Sequence, residues 1–262
     1  MTDPTFTPPP APTKAKPPAL RLYLSEPARG VLQLGALPLA APWLARAPRG
    51  EPHGVLVLPG FLTTDSSTGL LRRFLRSLGH TPWGWRLGRN LGPTSAILDG
   101  MPRALERLAE RTGGPISIVG WSLGGIFGRE LARKRPELVR QVITLGSPFA
   151  LSDSRQSRVN RRFDKHAHRH TDGGLKWTTT RRPIPVPSTA VYSKRDGVVH
   201  WHSCIEATSE RHDNVEVRCA HLGFGADPAT MWVVADRLAQ TDPGRSPFRP
   251  PALLRFMYPG RA

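Results

Sequence analysis

A chain of 262 residues suffices for one large α/β domain or two small ones, and its length removes any need for disulfide staples, which two cysteines, Cys204 and Cys219, do not provide. The start lacks the basic segment and apolar run of a signal peptide, so the expected location is cytoplasmic, with both thiols reduced unless the fold brings them together. The net charge of +17 is mostly arginine; it reads first as a solvated surface and second as contact with an anionic membrane surface, while no motif supports specific nucleic-acid binding.

Residues 1–19, rich in Pro, Thr and Ala, read as an extended tail. Residues 20–48 carry Leu and Ala in a loosely helical pattern, with Pro38 and Pro42 as breakers. This segment packs on the main domain or, with Arg21, Arg29, Arg46 and Arg49 among its apolar residues, lies on a membrane surface. Its most apolar stretch is too short to span a bilayer. Then short apolar runs alternate with amphipathic stretches. Strands are expected at Gly54–Leu58, Trp83–Leu87, Pro115–Val119, Val139–Leu145, Ser188–Tyr192 and Val215–Cys219. Helices are expected at Leu70–Leu78, Ala96–Arg111, Leu123–Arg133 and Thr230–Ala239. This alternation implies a mainly parallel sheet of about six strands with helices on both faces, spanning 20–241. A basic, polar insertion occupies 150–187, and a Pro- and Arg-containing tail occupies 242–262.

The strongest local signal is Gly120-Trp121-Ser122-Leu123-Gly124, a G-x-S-x-G pattern between an expected strand and an expected helix. A serine on so tight a turn needs small residues on either side, and the helix that follows aims its N-terminal dipole at the hydroxyl. The competing reading is a glycine-rich turn with an idle serine. With this context the chain resembles the α/β-hydrolase superfamily, in particular the serine esterases and lipases of short bacterial type. The resemblance covers about residues 54–240 and implies a nucleophile, an acid and a base in that chain order.

On that resemblance Ser122 is the nucleophile. The acid is Asp196, in Tyr192-Ser-Lys-Arg-Asp196-Gly-Val-Val after the fifth strand; an Asp-Gly turn alone would be unremarkable. Asp213, before the last strand, is the rival acid. The base is His221, in Cys219-Ala-His221-Leu-Gly223, the one histidine of nine that follows the sixth strand. An oxyanion hole needs two backbone N–H groups. Leu123, after the nucleophile, supplies one, and the family places the other after a glycine in the loop following the first strand, which is Phe61 here. Pro59-Gly60 stands where many relatives have His-Gly, as in some bacterial lipases. Leu62, Trp121, Phe149 and Phe224 are candidate liners of an acyl pocket, against the alternative that such residues are core. The insertion would be the cap. Its His166, His168 and His170 alternate with Arg169 among them, a poor cation site, so neither metal nor cofactor is expected.

The expectation is hydrolysis of a lipid-like or medium-chain acyl ester, a small-molecule substrate. An acyltransferase or thioesterase would use the same groups. A non-catalytic lipid- or nucleic-acid-binding protein is the alternative of another class. The sequence leaves oligomeric state open.

Overall fold

The computed structural model describes residues 16–151, 154–171 and 183–260. Six strands form a single sheet in the order β2-β1-β3-β4-β5-β6, with every neighbouring pair parallel. They are β1 (Gly54–Leu58), β2 (Thr81–Gly84), β3 (Ile116–Trp121), β4 (Val139–Leu145), β5 (Ser188–Tyr192) and β6 (His212–Glu216). The longer helices are α2 (Glu26–Leu44), α3 (Gly69–Ser77), α4 (Ser95–Thr112), α5 (Leu123–Lys134) and α7 (Pro228–Leu238); α1 (Leu20–Leu24) and α6 (Asn160–Asp164) are single turns. Strands β1 and β3 are buried along their whole length, as a sheet covered on both faces requires.

One core cluster joins Val55, Val57, Phe74, Trp121, Phe224 and Trp232 on one face of the sheet. The other joins Leu56, Leu58, Met101, Leu105, Leu123 and Phe127. The alternation along β1, Val55 and Val57 to one side and Leu56 and Leu58 to the other, is the two-residue strand period.

Chain order reverses around β1. The chain leaves β1 for the edge strand β2, then crosses back to place β3 on the other side of β1. Loops leaving the carboxyl ends of β1 and β3 therefore diverge from a crevice, where ligands bind in open parallel sheets. Leu58 pairs with Gly120, so the loop after β1 starts level with the turn after β3.

Three elements depart most from expectation, the others shifting by no more than two residues at either end. β2 runs over Thr81–Gly84 rather than Trp83–Leu87, because the Asp65 carboxylate accepts hydrogen bonds from the N–H groups of Trp85 and Arg86, at 3.0 Å each, and Arg86 turns at φ 59°. β6 is the polar stretch His212–Glu216 rather than Val215–Cys219. It is an edge strand, where polar side chains reach solvent, and its register with β5 runs from Ser188↔His212 to Tyr192↔Glu216. Pro38 and Pro42 do not break the N-terminal helix; both lie inside α2. An interior proline costs about 3 kcal/mol. Here the helix is held from outside: Trp43 stacks on Trp232 of α7 with ring centroids 4.3 Å apart, and Leu44 is buried.

The C-terminal stretch folds back on the domain. Phe248 and Tyr258 are buried edge to face, and the Tyr258 hydroxyl donates to the Ala229 carbonyl at 3.1 Å. Cys204 and Cys219 are free, buried thiols. No helix among the described residues is long and apolar enough to cross a membrane.

Candidate active site

Ser122 sits at φ 52°, ψ −119°, a backbone conformation that L-residues avoid. Its N–H donates to the Leu145 carbonyl at 2.8 Å, so the end of β4 fixes it. The flanking glycines are required by contact. A Cβ on Gly120 would meet the backbone of Gly125, one on Gly124 the carbonyls of Leu58 and Pro59, and one on Gly125 the hydroxyl of Ser147. Ser122 caps α5, so the positive end of that helix faces the hydroxyl.

Ser122 Oγ lies 3.0 Å from His221 Nε2, and His221 Nδ1 lies 2.6 Å from Asp196 Oδ2. With the proton on Nδ1, the ring donates to the carboxylate and accepts from the serine. All three residues are buried, at 9%, 5% and 4% exposure. The other Asp196 oxygen, Oδ1, accepts the N–H groups of Val198 and Val199 at 2.7 and 2.8 Å, which accounts for the Asp-Gly-Val-Val spacing. Burial pulls the His221 pKa down; the charge and hydrogen bond of Asp196 and the charge of Glu26 push it up further, and the net direction is up. Asp213 lies on β6, and its carboxylate accepts the Phe248 N–H at 2.9 Å, at the strand end opposite the one that leads to His221. A cavity of about 1080 Å³ also opens at that far end, lined by Thr208, Arg211, His212, Asp213 and Arg245 among others and by none of Ser122, Asp196 or His221.

The other histidines have different surroundings. His53 bonds Glu51 and Ser117, His212 bonds Ser209 and the Ile184 carbonyl, and His200 and His202 stack with Trp201. Burial raises the pKa of both thiols well above the ordinary range, with Asp196 adding to the shift at each and Asp227 at Cys219, so neither is an activated nucleophile.

The loop after β1 reaches the serine at Gly60, where an added Cβ would lie 3.4 Å from that of Ser122, with Phe61 next in the chain. Leu123 opens α5, and first-turn N–H groups have no intrahelical acceptor. The N–H groups next to Phe61 are engaged, Leu62 with the Asn90 carbonyl at 2.7 Å and Thr63 with the Gly60 carbonyl at 3.2 Å, whereas that of Phe61 meets no acceptor among the described residues. Leu62 itself is at φ 62°. Asn90 is fully buried and sets this loop: its side-chain amide donates to the Pro59 carbonyl at 2.8 Å. Nothing in the sequence distinguishes Asn90 from a turn residue.

The remaining expected liners separate. Trp121 and Phe224 belong to the core beneath His221, with ring centroids 6.4 and 6.1 Å from the imidazole, and the Trp121 indole donates to the His221 carbonyl at 3.1 Å. Phe149 lies under the Arg129 guanidinium, 4.0 Å from its ring centroid. Leu62 is half-buried. Parts of the insertion, residues 152–153 and 172–182, lie outside the described residues. Of the rest, Phe163 packs on Phe61 at 5.2 Å and His166 meets Phe61 edge-on at 5.8 Å. His170 and Thr171 bond the Leu91 and Pro93 carbonyls, which ties the insertion to the loop beyond Phe61. Among the described residues, no three His, Cys, Asp or Glu side chains are grouped to hold a metal ion.

No protein-family model and no curated protein matches the sequence. Solved structures match in shape. Lipase B of Aspergillus fumigatus superposes with a TM-score of 0.57 at 16% identity, over 74% of this chain and 53% of the lipase, so the chain spans about half of that enzyme. A metagenome-derived lipolytic enzyme superposes with a TM-score of 0.53 at 16% identity, over 73% of this chain and 94% of its own. An α/β-hydrolase from a lagoon-sediment metagenome of Mar Chica, Morocco, gives 0.50 at 14% identity, over 72% and 91%. Together with the parallel six-stranded sheet, these likenesses show that the chain has the α/β-hydrolase fold.

Proposed function

We propose that this chain is a serine hydrolase that cleaves carboxylic esters through an acyl-serine intermediate. The observation that carries the reading is the hydrogen-bond chain Ser122–His221–Asp196 on a strained turn at the crevice of an α/β-hydrolase sheet. His221 Nε2 takes the serine proton as Oγ attacks the ester carbonyl carbon. The negative oxygen that forms is received by the N–H groups of Phe61 and Leu123. The imidazolium, steadied by Asp196, then protonates the departing alkoxide. A water molecule repeats the sequence on the acyl-serine and releases the acid. Phe61 under Phe163 gives the acyl side an apolar wall, which suits a lipid-like or medium-chain acyl group. An alcohol or thiol in place of that water would make the same groups an acyltransferase, and a thioester substrate would make them a thioesterase.

The test is hydrolysis of p-nitrophenyl esters from acetate to palmitate by the wild type and by Ser122→Ala. The expected result is activity with at least one ester and a loss of roughly 10⁴-fold or more in the variant. Equal activity in the two proteins would remove Ser122 as nucleophile. Equal inertness would favour the binding-protein alternative.

A further inference from the structure

Glu26 lies beside the triad, bonded to the backbone of the His221 loop. It opens α2, well before the hydrolase motifs begin, and its side chain is 3% exposed. Oε1 accepts the N–H of Gly197 at 2.7 Å and the N–H of His221 at 3.1 Å. Oε2 accepts the N–H of Leu222 at 3.0 Å. Gly197 follows Asp196, and Leu222 follows His221. One carboxylate thus holds the loop of the acid and the loop of the base together by their backbones. Arg29, one turn on, donates to Oε1 at 2.9 Å and balances the buried charge. The same helix grips the base loop again through Gln33, whose Oε1 accepts the Ala220 N–H at 3.1 Å and whose Nε2 donates to Asp227 at 3.3 Å. Close packing fits this role. A Cβ on Gly197 would meet the backbone of Leu22 and Tyr23, and one on Gly223 the side chain of Gln33.

We propose that Glu26 is a positioning residue for catalysis, a clasp by which the N-terminal helix aligns His221 with Asp196 and Ser122. The proposal rests on the triad reading above. Two consequences separate it from simple bracing. Misalignment by a fraction of an ångström slows chemistry without weakening substrate binding, by about 10- to 100-fold. The carboxylate also favours the imidazolium, so its removal lets His221 stay neutral to lower pH. The charged groups acting on His221 in this balance are Asp196 from the β5 loop and Glu26, with its partner Arg29, from α2; Asp227 acts on the buried Cys219 of the same segment, and His200 lies near Asp196.

The experiment follows the labelling of Ser122 by a fluorophosphonate across pH, with kcat and KM for Ser122-dependent hydrolysis of p-nitrophenyl butyrate. Glu26→Gln keeps the shape but sets an amide N–H₂ against one backbone N–H and removes the charge. It is expected to lower the plateau rate about 10- to 100-fold with KM unchanged, and to move the acidic limb to lower pH. Glu26→Asp, which keeps the charge, should return the limb towards its wild-type position. Arg29→Met, which leaves the carboxylate unbalanced, should move the limb up. A Glu26→Gln protein with a wild-type plateau and limb overturns the proposal. So does a loss that follows only the unfolded fraction in a thermal melt with the limb unmoved. If Glu26→Gln does not fold, an unmoved limb in Arg29→Met is decisive against the proposal, and an upward shift supports it. Labelling of Ser122→Ala at the wild-type rate would instead defeat the triad reading.

Discussion

Holding a serine at φ 52° costs on the order of 1–3 kcal/mol, and the backbone around Ser122 meets that cost by close contact through glycines. Two glycine-to-alanine changes should therefore act in opposite directions. Gly124→Ala drives a methyl group into the carbonyls of Leu58 and Pro59, which belong to a buried strand end and cannot retreat. Overpacking of this kind destabilises by about 1–3 kcal/mol, and any relief moves Ser122 off His221, so both melting temperature and activity should fall. Gly35→Ala, in the exposed middle of α2 with nothing within 4 Å of the new methyl, should stabilise by about 0.5–1 kcal/mol and leave ester hydrolysis untouched. Thermal melts of the two variants decide it: a neutral Gly124→Ala would mean the turn is looser than its contacts imply. The elbow was legible in the sequence because the small residues its turn demands fall within six consecutive positions, Gly120 to Gly125. Asp196 and His221 were legible through the order of strands around them. Glu26 was not, because its partners lie 171 to 196 residues away and Ser25-Glu26-Pro27 reads only as the start of a helix.

At the scale of elements, apolar runs located the buried strands and misplaced the edges. β1 coincides with its expected limits because continuous burial demands continuous apolar sequence, and β4 does so although Arg140 and Gln141 interrupt its apolar run. The edge strand β6 escapes that demand, and α2 runs through two prolines because Trp43, Leu44 and the Glu26 clasp hold it in place. A buried ion pair was equally invisible. Arg129 of α5 donates to Glu206 at 2.7 Å with both side chains 1% exposed, and the Ser188 hydroxyl donates to the other carboxylate oxygen at 2.6 Å. This pair braces the helix that begins at the nucleophile against the segment between β5 and β6. Arg129→Met leaves the Glu206 charge buried without its cation and should cost about 3–5 kcal/mol, whereas Arg129→Met with Glu206→Gln should cost distinctly less. Urea denaturation of both proteins tests this. Equal losses would mean that packing of the arginine on Phe149, rather than its charge, holds α5.

For the whole molecule, a charge of +17 comes together with apolar side chains left exposed on the surface. Leu24, Val31, Leu32 and Leu39 are exposed along the N-terminal helices, Leu39 by 86%, and follow a helical spacing that puts them on one stripe. Leu222, also exposed, follows His221 and lies beside Gly30, on the side of α2 that carries Glu26 and Gln33 and packs on the domain. Apolar side chains that enter a bilayer interface beside a basic surface favour anionic lipid. We propose that this face rests on an anionic membrane surface. Flotation with vesicles of phosphatidylglycerol and phosphatidylcholine should carry the protein up, and vesicles of phosphatidylcholine alone should carry far less. Because exposed charges are screened within about 8 Å at physiological salt, raising salt should weaken the binding without abolishing the apolar part. Leu32→Glu with Leu39→Glu should lose most of the binding while hydrolysis of a soluble short ester stays at the wild-type rate, since neither side chain meets the triad. Binding that ignores lipid charge, or survives both glutamates, would leave the leucine stripe without this role and return the arginines to the plainer account of a solvated surface.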